Sequence, residues 1–188
     1  MRGAVQSPGT VTRAARVDYV VKHGVLWARL PGGRCLAYAA PRLVDQVWAR
    51  VLCPDGGWAD AEVMDRELAE RGERTGQIRI EGATSAKATV LGVDGATRKF
   101  RRFGLYGGLL QENNTQATAR DILVNGMLRA EAAGYPIIIT VYDEIVAEVP
   151  RGFGDLREFE RLICELPPEY DGLPLTAGGW RGKRYRKD

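Results

Sequence analysis

The spacing of apolar positions changes along this chain, and each change predicts an element. After a loose start ending in Ser7-Pro8-Gly9, residues 11–22 group Val17, Val20 and Val21 at helical spacing, and Gly24 is placed to close a helix there. Residues 25–30 and 35–38 are short β-type runs around Pro31-Gly32-Gly33-Arg34, a strong turn former, and predict a hairpin. An acidic helix is expected from about Asp60 with Val63, Met64 and Leu68 inward, and the alternation over 77–81 predicts an edge strand.

The second half is more regular. Over 114–133, Ala119, Ile122, Leu123, Met127 and Ala130 form one helical stripe, which Gly134 and Pro136 terminate. The β-branched run 137–142 and the run 145–149 flank Asp143-Glu144 and predict an antiparallel hairpin. Leu156, Phe159, Leu162 and Ile163 support a last helix over 155–165, ended by Pro167-Pro168. The expected fold class is α+β.

Composition narrows the class further. A chain of 188 residues with 45% hydrophobic and 27% charged residues buries a real core, which excludes disorder throughout. No run approaches the roughly eighteen apolar residues of a membrane span, and Met1-Arg2-Gly3 opens neither a signal peptide nor a myristoylation site, so a soluble, cytoplasmic protein without a membrane partner is expected. Cys35, Cys53 and Cys164 are widely spaced and odd in number, which argues against a disulfide framework. With His23 as the single histidine, a His/Cys zinc site is not credible, and chemistry must rest on carboxylates. The net charge of +3 is too small to demand a nucleic-acid partner, although 22 of the 27 cations are arginines, whose planar fork suits phosphate. A biased genome composition produces the same excess.

Three features could carry chemistry. Tight two-residue hairpin connections favour Asn-Gly or Asp-Gly, yet here two adjacent carboxylates, Asp143 and Glu144, stand without glycine. Either the turn is simply solvated, or a hard divalent cation such as Mg²⁺ offsets the repulsion. Gln116 and Arg120 lie one helical turn apart with Asn113 and Asn114 upstream, a polar head that suits nucleic acid or serves only as cap and surface. Gly104, Gly107 and Gly108 around Tyr106 follow Arg98, Lys99, Arg101 and Arg102, and the chain finishes with five cations among residues 181–187, including Arg181, Lys183 and Arg184. Such a tail binds phosphates or is a solvated terminus.

Together, Tyr106-Gly107-Gly108, Glu112-Asn113, Gln116-Ala117-Thr118-Ala119-Arg120-Asp121, the residues 140–150 around Asp143-Glu144, and the Gly-Trp-Arg-Gly-Lys-Arg-Tyr run at 179–185 strongly resemble the C-terminal palm of family A (polymerase I type) DNA polymerases, especially the phage-encoded branch. The resemblance is good from about Lys99 onward and extends to the hairpin over 27–43, whereas 44–95 matches poorly. It implies two parts, a partial upstream segment over 1–95 and a palm portion over 96–188. The implied fold is an antiparallel palm-type sheet with a motif C-like hairpin packed against a long helix.

By the same resemblance, Asp143 is one of the two palm aspartates that hold a catalytic Mg²⁺ pair, and Glu144 supports it. Asn113, Gln116 and Arg120 face a DNA primer–template, Tyr142 replaces the family's primer-contacting histidine, and dNTP is the second substrate. The family's Asp-Tyr-Ser-like strand and its Arg-x-x-x-Lys helix have no convincing counterpart. Asp18-Tyr19 continues into Val20-Val21 with helical spacing, and Lys99 precedes Tyr106-Gly107 with Gly95 where the arginine belongs. The metal site is therefore expected to be completed by a carboxylate absent from this chain, on an upstream polymerase fragment, and the isolated chain to be inactive. The expected function is part of a DNA-directed DNA polymerase in DNA replication, in the cytoplasm of a bacterial host if phage-encoded. The alternative is a non-catalytic DNA-binding or assembly module derived from one.

Overall fold

The computed structural model describes residues 1–93, 95 and 98–185. It is an α+β structure of antiparallel sheets with one long helix, in two compact units. One comprises 1–30 and 35–111, the other 31–34 and 112–188. The expected boundary at 95–96 falls on Ala96, outside the described residues, and the units part after Gln111.

The first unit opens with a five-residue helix α1 (Arg2–Gln6), where a loose start was expected, because Ala4 is fully buried. The helix expected over 11–22 is two strands, β1 (Thr12–Ala14) and β2 (Val17–Lys22). Val17, Tyr19 and Val21 are the more buried set at period two, and the branched valines favour the extended chain. Gly24 does not end a helix but shares a two-residue hairpin with His23, φ +73° and +51°, before β3 (Val25–Arg29). The hairpin predicted from 25–30 and 35–38 is present, with its second strand β4 running from Cys35 to Val44. A register shift between Ala39 and Arg42 accommodates Pro41, which cannot donate to a ladder.

Beyond it, β5 (Gln46–Val51), β6 (Glu62–Asp65) and β7 (Ile78–Ala83) form a three-stranded sheet ordered β6-β5-β7, so the strand predicted at 77–81 is an edge. The acidic helix is α2 (Arg66–Arg74), later than expected. It starts at Asp65, whose side chain accepts hydrogen bonds from the Glu67 and Leu68 amides as an N-cap. Val63 lies in β6 and Leu68 on α2, both exposed, so the inward residues are Met64 and Ala69, packed on Val47, Ala49, Ile78 and Ile80. β8 (Lys87–Val93) and β9 (Phe100–Gly104) complete a six-stranded sheet ordered β1-β2-β3-β4-β8-β9. Its core is Tyr19, Val21, Leu26, Ala28, Val90, Leu105 and Leu110.

Helix α3 (Gly107–Ala132) begins seven residues earlier than the expected 114. Gly107 and Gly108 are thus its first two residues. The buried positions Leu110, Asn114, Ala117, Ile122, Gly126 and Ala130 recur every three to five residues, whereas Ala119 faces out. Gly134 ends the helix with φ +90°. The chain then forms β10 (Ile137–Val141) and β11 (Glu144–Ala147), an antiparallel pair standing as a two-stranded sheet of its own.

Helix α4 (Leu156–Cys164) matches expectation, and Pro167 leads into a single 3₁₀ turn, Pro168–Tyr170. It rests on α3 at Gly126. Arg129 of α3 donates to the Leu162 carbonyl at 2.9 Å and to that of Glu165, satisfying the end of α4. Tyr135, Phe153 and Phe159 pack with ring centroids 5.1–5.3 Å apart about Tyr135.

A Cβ at position 126 would lie 2.8 Å from the Ile163 carbonyl oxygen and 3.0 Å from its Cα, both backbone atoms that cannot rotate away. Gly126→Ala should therefore destabilise the protein by about 1–3 kcal/mol. Thermal unfolding with an unchanged or raised midpoint would show that the two helices are free to separate.

Candidate functional site

Val141 pairs with Glu144, so the hairpin connection is Tyr142-Asp143, one residue earlier than the Asp143-Glu144 turn expected from sequence. Glu144 is the first residue of β11. Tyr142 takes up the reversal at φ +54°, a conformation that glycine ordinarily supplies and that costs a bulky L-residue about 1–2 kcal/mol. Its side chain is 91% exposed, and Asp143 beside it is exposed as well. The two carboxylates consequently differ in setting.

Glu144 is half-buried and accepts a 2.7 Å hydrogen bond from the Tyr185 hydroxyl. That bond, followed by loss of hydration and the repulsion of the carboxylate, pushes the Tyr185 phenol above its ordinary pKa. Two further anchors bring Tyr185 there. The Gly179 amide donates to Glu160 Oε1 on α4 at 2.7 Å, and Arg181 donates to the Phe153 and Gly154 carbonyls at 2.6 and 3.2 Å. Arg181, expected to meet DNA, is thus engaged by backbone, while Lys183 and Arg184 are exposed; Arg186 and Lys187 lie outside the described residues.

The predicted residues fall into three groups. Tyr142, Asp143 and Glu144 share the hairpin, joined by Tyr185. Asn113, Gln116 and Arg120 lie on α3, where Asn113 is half-buried, Arg120 is exposed, and Gln116 donates to Glu112 Oε1 at 3.3 Å. Arg181, Lys183 and Arg184 follow the tail. Among the described residues no three His, Cys, Asp or Glu side chains converge to hold a metal ion, so the turn offers the oxygens of Asp143 and Glu144. Asp18 is on strand β2 rather than a helix, and its carboxylate takes both Arg13 Nε at 2.6 Å and Nη2 at 2.9 Å, which holds it below its ordinary pKa.

Sequence reasoning missed a cluster beside Arg120. Asp121 forms an ion pair with Arg34 at 2.7 Å and accepts from the Tyr170 hydroxyl at 3.2 Å, while that hydroxyl accepts from the Gly32 amide at 3.2 Å. Arg34 also donates to the Ala117 carbonyl. Tyr170 is almost wholly buried, and burial leads the causes that raise its pKa. No local pattern links residues so far apart in the chain; a tyrosine closely following Pro167-Pro168 is the one local signal. The three cysteines are free, and no helix among the described residues is long and apolar enough to cross a membrane.

The class defined by this geometry is an α+β protein in which a long helix leads into a hairpin carrying an exposed acidic turn. Over 172 residues, 92% of this chain, the sequence is 35% identical to the DNA polymerase of Bacillus phage SP02. The match covers 21% of that polymerase, so the chain spans about a fifth of the length of the curated relative it matches. No family model and no solved structure matches the chain.

The raised pKa of Tyr185 sets the pH window of its bond to Glu144. The contact is complete below the ordinary tyrosine pKa of about 10 and is lost as pH rises through the higher folded value, when phenolate faces carboxylate. Carbon-13 NMR of ζ-labelled tyrosines should show Tyr185 titrating above the ordinary range, and Glu144→Gln should return it toward that range. A midpoint that the substitution does not move means the tail is not fastened there.

Proposed function

We propose that this chain is part of a family A DNA-directed DNA polymerase, the palm portion that contributes one metal-binding carboxylate, Asp143, to template-directed nucleotidyl transfer. The observation that carries the reading is the 35% identity to a phage DNA polymerase over 92% of the chain. The acidic turn supports it. Asp143 presents hard carboxylate oxygens to solvent, the donor type that Mg²⁺ takes, on a turn whose strained Tyr142 backbone is of the kind found at functional sites.

The fit is partial in a way that agrees with the proposal. Two carboxylates at the turn, one of them bonded to Tyr185, do not make a two-metal site, and the remaining ligands are assigned to a segment outside this sequence. Strand β10 supports the same view. It reads as an apolar β-branched strand of a covered sheet, yet among the described residues it has one neighbouring strand, and Ile138 and Ile139 are 52% and 44% exposed. When bound, the metal pair stabilises the attacking 3′-oxygen and the pyrophosphate leaving group. This chain's residues hold and orient. Asp143 supplies ligand oxygens, Glu144 supports the turn from β11, Tyr142 can donate a hydrogen bond near the primer end, and Gln116 and Arg120 contact the primer–template. Lys183 and Arg184 meet phosphates.

Primer extension with dNTPs and Mg²⁺ tests the reading. The isolated chain is expected to be inactive and to gain activity with a polymerase fragment carrying the missing aspartate strand and lysine helix. In that assembly Asp143→Ala should lower the rate on the order of 10³-fold with DNA affinity nearly unchanged, and Glu144→Ala should cost less. Equal and small losses for both, or DNA binding without extension in any assembly, would favour a non-catalytic DNA-binding module.

Tyr142→His, which restores the family's residue, should raise the extension rate of the same assembly. A fall would mean that the neighbouring residues have adapted to tyrosine.

A further inference from the structure

The first unit contains a cleft of about 410 Å³ with an unusual lining. Two cations, Arg2 and Lys87, and two aromatic residues, Trp48 and Tyr106, border it beside Val63 and Gly107, and among the described residues no carboxylate does. The rings are unusually open, Trp48 at 46% and Tyr106 at 58% exposure. Strand alternation explains Trp48: Val47 and Ala49 occupy the core side of β5, which turns the indole outward. Its cross-strand neighbours are Val63 on β6 and Gly82 on β7, and an added Cβ at Gly82 would meet nothing within 4 Å. The Gly82 side of the indole is therefore open, while the Tyr106 ring lies against Gly108, whose added Cβ would stand 3.0 Å from its Cε2.

We propose that this cleft binds a segment of single-stranded polynucleotide, with unpaired bases stacking on Trp48 and Tyr106 and the phosphates between them meeting Arg2 and Lys87. Stacking uses the faces of bases, which a duplex already covers, so an aromatic-walled concavity selects unpaired strands. Cations without opposing acids complement the backbone and not an acid-balanced protein surface. Arg2 keeps its place through a weak 3.4 Å bond to Ser85 Oγ, which leaves other guanidinium donors for phosphate. As the unpaired template strand, the occupant rests on the proposed polymerase function; as single-stranded nucleic acid, it rests on the cleft.

Fluorescence anisotropy of the whole chain with labelled oligo-dT, and with a hairpin duplex of equal length, tests this in EDTA without primer or dNTP. The single strand should bind more tightly than the duplex. Trp48→Ala and Tyr106→Ala should each weaken it about tenfold, the scale of one base–aromatic stack, while Trp48→Phe keeps most of the affinity. Replacing Arg2 and Lys87 together by Gln should flatten the log–log salt slope by about 1.4, two phosphates at the single-strand value. Because Trp48→Ala could harm folding, Trp48→Phe and the double charge variant decide the matter if its thermal unfolding shifts. Equal affinity for duplex, or single-strand binding that none of these variants changes, overturns the proposal. The polymerase reading stands or falls separately, on Asp143 in primer extension, which this assay leaves out.

Discussion

Helix α4 can rest on α3 only because residue 126 has no Cβ. The Ile163 carbonyl and Cα sit where that atom would be, and the close approach lets Arg129 reach the last carbonyls of α4. With α4 held there, Glu160 is positioned to receive the Gly179 amide, and the loop before α4 presents the Phe153 and Gly154 carbonyls to Arg181. These contacts lead the tail to Glu144. The acidic hairpin is thereby tied to a helix pair through a strap of local bonds, each modest in water and mutually supporting because each fixes the next group.

The strap also separates the chemistry of two adjacent acids. On a regular strand Asp143 and Glu144 would point to opposite faces; here Asp143 is in the reversal and Glu144 in the ladder opposite Val141. A neutral phenol donates to Glu144, so this bond steadies one carboxylate without itself bringing a positive charge to it. An arginine in that place would have offset the charge a divalent cation needs. Arg181, which lies four residues before Tyr185 in the same strap, is held by carbonyls instead.

How much of this was legible depended on how local the signal was. The hairpin at β10–β11 and helix α4 were readable because a β-branched run and an amphipathic spacing bounded by Pro167-Pro168 specify themselves within a dozen residues. Residues 11–22 misled because Val17, Val20 and Val21 satisfy a helical face while Val17, Tyr19 and Val21 satisfy a strand face. The tie was broken by the His23-Gly24 turn, whose positive φ angles favour a hairpin. The one-residue error at the acidic turn has a similar origin. Nothing in the local pattern suggests that a tyrosine accepts a left-handed backbone, so the more polar pair was assigned to the reversal. Tyr185 to Glu144 and Tyr170 to Asp121 span 41 and 49 residues, and such pairs follow from packing rather than from any periodicity.

The exposed isoleucines of β10 bring the fold and the proposed function together. Strands that stay solvated on one face alternate polar and apolar residues, whereas 137–141 is apolar on both faces apart from Thr140. A two-stranded ribbon of that composition is marginal in water and presents an open edge suited to pairing. If β10 is completed by a neighbouring strand, that strand also runs past the acidic turn and can deliver a carboxylate beside Asp143. On the proposed function, that one cover would account for the open edge and supply further ligands at the turn. It would bury the apolar strand at the same time, and stabilisation of the hairpin on assembly should accompany any gain of activity.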